Sequence, residues 1–172
     1  MADTHDGTVE VRTVWPHEWE AVRSIRLEAL EDTPSAFVTS YDEALGYADD
    51  LWRDRTAEGA LGVTQNTVIA LDHGKAVALA IGLLKRKGTV LVVVSVFISP
   101  DYRGRGIGEE MFAILEGWGA DRGALEAGLW VEETNERARG FYAKLGYETT
   151  DDRQRIPNDA GLWEIRLTKS LA

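Results

Sequence analysis

The stretch from 90 to 121 constrains the fold more than any other part of the chain. Leu91-Val92-Val93-Val94-Ser95-Val96-Phe97-Ile98 is apolar enough for a central strand buried on both faces, and Pro100 stops it. Glycines stand at 104, 106 and 108, and a helix is expected over 107–121 with Ile107, Met111, Ile114, Leu115 and Trp118 on its apolar face. A strand, a glycine-rich turn and a helix in direct succession aim backbone N–H groups out of a helix N-terminus, without side chains to hold an anion away. Arg103 and Arg105 add guanidinium groups that suit phosphate oxygens bidentately. The unit reads as a cradle for a pyrophosphate.

Two common phosphate loops do not fit. A Walker loop needs Lys followed by Ser or Thr at the helix start, and none is there. A dinucleotide fingerprint needs a third glycine where Glu109 stands, and the preceding strands pair as hairpins rather than opening a parallel βαβ unit. The remaining alternative is a tight turn with solvated arginines.

Elsewhere the apolar period alternates between helix and strand. Strands are expected at 9–14, at 67–71 paired as a hairpin with 76–84, at 89–99, at 125–131, at 147–149 and at 162–167. Helices are expected at 18–30, where Trp19, Val22, Ile25 or Arg26, Ala29 and Leu30 share a face, in short pieces at 41–45 and 49–55, at 107–121 and at 135–145. The polar run 151–161, with Pro157, Asn158 and Gly161, reads as a loop. This order implies an α/β (mixed α+β) domain: a twisted, mostly antiparallel mixed sheet with helices on both faces. One domain is expected over 9–172, preceded by a flexible polar lead at 1–8.

Composition narrows the function. With 172 residues and a formal charge of -10, the chain opposes a role in tracking nucleic-acid phosphates. It has no cysteine, so thiolate metal sites and a cysteine nucleophile are excluded, and no metal is expected. The longest apolar run, about nine residues, is short of the ~20 a membrane helix needs. A cytoplasmic protein without membrane or nucleic-acid partners is expected.

The residues that follow the central strand resemble a known family. Phe97-Ile98-Ser99-Pro100-Asp101-Tyr102-Arg103-Gly104-Arg105-Gly106-Ile107-Gly108 is similar to the acetyl-CoA signature of the GNAT superfamily. Asn135-Glu136-Arg137-Ala138-Arg139-Gly140-Phe141-Tyr142-Ala143-Lys144-Leu145-Gly146 resembles the same family's second signature, in the same order along the chain. The resemblance implies an acetyl-CoA-dependent N-acetyltransferase acting on a primary amine of a small molecule or peptide, by direct attack in a ternary complex, as a monomer or homodimer.

It also implies site residues. The backbone of Phe97 and Ile98 would pair with the pantetheine arm, and the turn Arg103, Gly104, Arg105, Gly106, Ile107 and Gly108 would hold the pyrophosphate. Asn135 would lie near the pantetheine, although Asn also suits a helix N-cap. Tyr142 would protonate the leaving thiolate, although an aromatic at that spacing also suits a core. Relatives often carry a strand glutamate as the base. Here 91–99 holds Ser95 but no acid. Glu28, Asp42 and Glu43 lie in the region that shapes the acceptor cleft in relatives, where they would hold a cationic amine or simply be solvated charges. The competing reading is an acyl-CoA-binding regulatory module with a degenerate active site.

Overall fold

Alternation along the strands separates two cores on opposite faces of one sheet. In the strand Gln65–Asp72 (β2), Val68 and Ala70 join one buried cluster, and Ile69 and Leu71 join another. A strand sends successive side chains to opposite faces, so each core needs its own cover. The structure is a computed structural model and describes residues 8–157 and 159–172. Residues 1–7 of the expected N-terminal lead lie outside the described residues, as does Asn158.

The other strands are β1 (Glu10–Thr13), β3 (Lys75–Lys85), β4 (Val90–Ile98), β5 (Glu126–Glu132), β6 (Glu148–Ile156) and β7 (Asp159–Ser170). They form one seven-stranded sheet in the order β1-β2-β3-β4-β5-β7-β6. All neighbours pair antiparallel except β4 and β5. The helices are α1 (Trp19–Asp32), α2 (Tyr41–Leu45), α3 (Asp49–Leu61), α4 (Ile107–Asp121) and α5 (Glu136–Lys144). Val22, Ile25, Ala29 and Leu30 of α1, with Ala44 of α2 and Trp52 of α3, pack on Ile69, Leu79 and Phe97. Ile107, Met111, Phe112, Leu115 and Trp118 of α4, with Tyr142 of α5, pack on the opposite face.

Three expectations need correction. The segment 151–161 is not a loop: β6 runs to Ile156, and β7 resumes at Asp159. β6 is an edge strand with both faces mostly exposed, so its polar sequence carries no apolar alternation. Cross-strand contacts hold it instead, with Arg153 and Arg155 over the Trp163 ring and Gln154 donating to Glu164 at 2.6 Å. The helix expected at 49–55 extends to Leu61, where Gly62 takes the left-handed conformation (φ 63°) that ends it. The second half of β4 is not buried on both faces. Val92, Val94, Ser95, Val96 and Ile98 are half-exposed because the sheet opens beside them.

Candidate functional site

The opening starts with one residue. Ser95 has φ 56°, a left-handed conformation that costs a non-glycine residue about 1–2 kcal/mol. Between the pairs Leu79↔Phe97 and Ile81↔Val94, Ser95 and Val96 stand opposite the single residue Ala80, which makes a β-bulge. A bulge bends its strand and increases its twist. Parallel pairing of β4 with β5 accordingly covers only Val90↔Glu126, Leu91↔Ala127 and Val92↔Gly128. Beyond Gly128 the strands separate, and each presents one unpaired edge to the gap.

A cavity of about 620 Å³ fills that gap. Its walls are β4 from Val93 to Ile98, β5 from Leu129 to Glu132, the start of α4, and α5 from Asn135 to Tyr142. Thr33, Ser35 and Phe37, from the connection after α1, close the opposite side. Phe97, Ile98, Arg103, Gly104, Gly106, Ile107, Gly108, Asn135 and Tyr142 all line it. Residues from both signatures, some forty positions apart in sequence, are thus brought to one cavity.

At its floor the turn is built for an anion. Gly104 and Gly106 have φ 74° and 82°, and a Cβ on either would meet nothing within 4 Å. Their role is conformational. Among the described residues, no backbone N–H from 104 to 109 has an intramolecular acceptor; Glu110 is the first to close a helical bond, to the Gly106 carbonyl at 3.2 Å. Such N–H groups, with the helix dipole behind them, favour a phosphate. Gly108 differs: a Cβ there would lie 2.6 Å from Phe141 Cζ. It permits the close approach of α4 and α5.

The arginines are tied to the protein. Arg103 Nε donates to the Ile98 carbonyl at 2.9 Å, and its Nη2 contacts Asp32 Oδ2 at 3.2 Å. These bonds fix the end of β4 to the end of α1. Arg105 lies over the Tyr102 ring at 4.9 Å, exposed and outside the cavity lining.

On α5, Asn135 Oδ1 accepts from the Ala138 N–H at 3.1 Å, which makes it the helix N-cap while its residue also borders the cavity. Tyr142 packs among Phe112, Phe141 and Tyr147, with ring centroids 5.7, 5.4 and 6.2 Å away. It is 8% exposed, and its hydroxyl has no partner among the described residues. Burial penalises the phenolate and pushes its pKa up to about 12. The phenol therefore keeps its proton at neutral pH.

The three acids singled out in the N-terminal half do not reach the cavity wall. Glu28 accepts from Ser99 Oγ at 2.6 Å, fastening α1 to the end of β4. Asp42 is exposed at the start of α2, and Glu43 is exposed and accepts from Tyr47 Oη at 2.9 Å. Glu132 and Glu164, which sequence reasoning passed over, do line the cavity, directly opposite each other in the β5–β7 register. Like charges facing across strands disfavour one another, so a cation between them is welcome. Their only sequence signal was position on strands flanking the second signature. Glu164 lay beside a segment read as a loop.

The chain matches the model of the acetyltransferase (GNAT) family over residues 19–147. An uncharacterized N-acetyltransferase of Methanocaldococcus jannaschii is 37% identical over 62 residues, which is 36% of this chain and 27% of that protein. The matched stretch thus spans about a quarter of the relative's length. An acetyltransferase of the GNAT family from Streptococcus pneumoniae has the same fold, with a TM-score of 0.82 at 15% identity over 95% of this chain and 99% of the other. So has an N-acetyltransferase of Thermoplasma acidophilum crystallised with coenzyme A, with a TM-score of 0.68 at 15% identity over 92% and 98%.

Proposed function

The chain belongs to the acetyltransferase (GNAT) family, and from that premise we propose that it is an N-acetyltransferase moving the acetyl group of acetyl-CoA to a primary amine of a small molecule or peptide. The observation that carries this reading is the gap between β4 and β5, where Gly104 and residues 106–109, with their unpaired amides, and Tyr142, with its unpartnered hydroxyl, line one cavity.

The residues fit the co-substrate part by part. N–H groups at 104–109 match a pyrophosphate, and the free edge of β4 from Val93 to Ile98 matches an extended, amide-bearing arm. Asn135, whose Oδ1 is occupied by capping, still has its side-chain N–H groups to offer. Glu132 and Glu164 receive the acceptor amine and take its proton, since only the neutral amine attacks. The amine nitrogen bonds to the thioester carbonyl carbon, the carbon–sulfur bond breaks, and Tyr142 gives its proton to the departing thiolate. No bond to the enzyme forms. Holding both reactants in one cavity supplies much of the rate.

The alternative, a regulatory acyl-CoA-binding module, draws on the absence of an acid on β4; the cavity-lining carboxylates Glu132 on β5 and Glu164 on β7 support the enzyme instead. A CoA-release assay over a library of primary amines tests the reading. Release that depends on the amine is expected; tight acetyl-CoA binding without release over the whole library would favour the binding module.

A further inference from the structure

One half-buried charge beside the cavity, outside its lining, has no counter-charge. Arg26, on the inner face of α1, donates from Nη1 to Ser95 Oγ at 3.0 Å, and its guanidinium lies 4.5 Å from the centroid of the Phe37 ring. Both partners line the cavity. No carboxylate pairs with Arg26 among the described residues, although the chain has 29 acidic residues against 19 basic ones. The charged groups closest in effect are another cation, Arg55, and the Tyr47 hydroxyl. Desolvation and repulsion from Arg55 bring its pKa down to about 10. Even partial withdrawal of a cation from water is unfavourable without a counter-charge, so such groups are normally paired.

Its remaining N–H groups are also open. Arg23 Nε, Trp52 Nε1 and Thr56 Oγ1 are the sealed, unpartnered side-chain polar atoms among the described residues, and no nitrogen of Arg26 is among them. Unused donors that are neither bonded nor enclosed, behind the wall that faces the acceptor, are placed for an incoming anion. The opposite wall carries Glu132 and Glu164.

We infer that the acceptor carries a carboxylate beside its amine, as an amino acid or a peptide with a nearby free carboxylate does, and that Arg26 receives that carboxylate while Glu132 and Glu164 face the amine. This rests on the proposed acetyl transfer, because it names the acceptor class of the same cavity. It also gives the bulge a second use: Ser95, which bends β4, holds the guanidinium in place.

The test uses the full chain, L-amino acids with their matched α-amides, and two readouts run in parallel: CoA release, and calorimetric binding of the amino acid or amide in the presence of CoA. A charge-assisted pair predicts that wild type prefers the acid over its amide by roughly ten- to a hundredfold in kcat/KM and in affinity. Arg26→Gln should erase that preference, acting on acceptor KM and leaving acetyl-CoA affinity unchanged, and Arg26→Lys should restore part of it. Equal use or binding of acid and amide by wild type, or no binding of either, would overturn the inference. So would an Arg26→Gln variant that loses activity equally toward both, since that describes a support for the bulge alone. Release with amines lacking a carboxylate that is as efficient as release with the amino acids would sink this inference and leave the acetyl transfer standing; absence of release with every amine, despite acetyl-CoA binding, would sink the transfer itself.

Discussion

Replacing Tyr142 by Phe separates chemistry from packing. The ring contacts to Phe112, Phe141 and Tyr147 are kept, and only the hydroxyl goes. A positioned general acid contributes about 10²- to 10⁴-fold, so kcat should fall by that factor, equivalent to about 3–5 kcal/mol of barrier. Stability should barely change. The hydroxyl lacks a protein partner, borders the cavity and is not among the sealed polar atoms, so its removal leaves no orphaned group behind. At neutral pH the variant should therefore be about as stable as wild type, with Tm within roughly 2–4 °C, the shift about 1 kcal/mol makes in a chain of this size.

Alkaline pH sharpens the same test. With the native pKa raised to about 12 from an ordinary value of 10.0, the unfolded chain loses this proton before the native protein does. Stability is therefore full below pH 10 and falls between pH 10 and 12, by about 3 kcal/mol from this group. Phenylalanine does not titrate, so the variant should show a shallower alkaline limb. Tyr147, also raised by burial and by Glu116, retains the rest. Stopped-flow CoA release and denaturant unfolding across pH 7–12 give both quantities. A kcat within twofold of wild type would refute the acid role, and a variant markedly less stable at neutral pH would refute the unpartnered hydroxyl.

Two other changes probe the frame. Gly108→Ala places a Cβ 2.6 Å from Phe141 Cζ and should cost about 1–3 kcal/mol while displacing α5, so denaturant midpoint and kcat should fall together; an unaltered midpoint would show that the two helices need not approach so closely. Asn135→Ala removes the cap on Ala138 N–H and should cost about 1 kcal/mol by chemical denaturation. Asn135→Ser should recover most of that stability, and a serine variant as unstable as the alanine one would deny the capping role.

Legibility followed the side chains. The glycine turn, α4 and α5 were readable because their glycines and apolar periods are local signals, and so were the hairpin of β2 with β3 and the central place of β4. What stayed hidden was non-local. Ser95 gives no sign of a left-handed bulge, because that conformation ordinarily selects Gly, Asn or Asp. The polar β6 strand is held by its partner rather than by an apolar face, so it resembled a loop. Glu28 looked like a free acid, but its bond to Ser99 spans 71 positions. For the same reason Glu132 and Glu164 became visible only once β5 and β7 were paired.

The central claim is that the amides of 104–109, unpaired within the protein, hold the phosphates of acyl-CoA. Nitrogen-15 resolved spectra of the protein titrated with CoA test it most directly. The account predicts large shifts and slowed hydrogen exchange at Gly104, Arg105, Gly106, Ile107, Gly108 and Glu109 as CoA is added. Binding of CoA with these signals unmoved, or no binding at all, would contradict it.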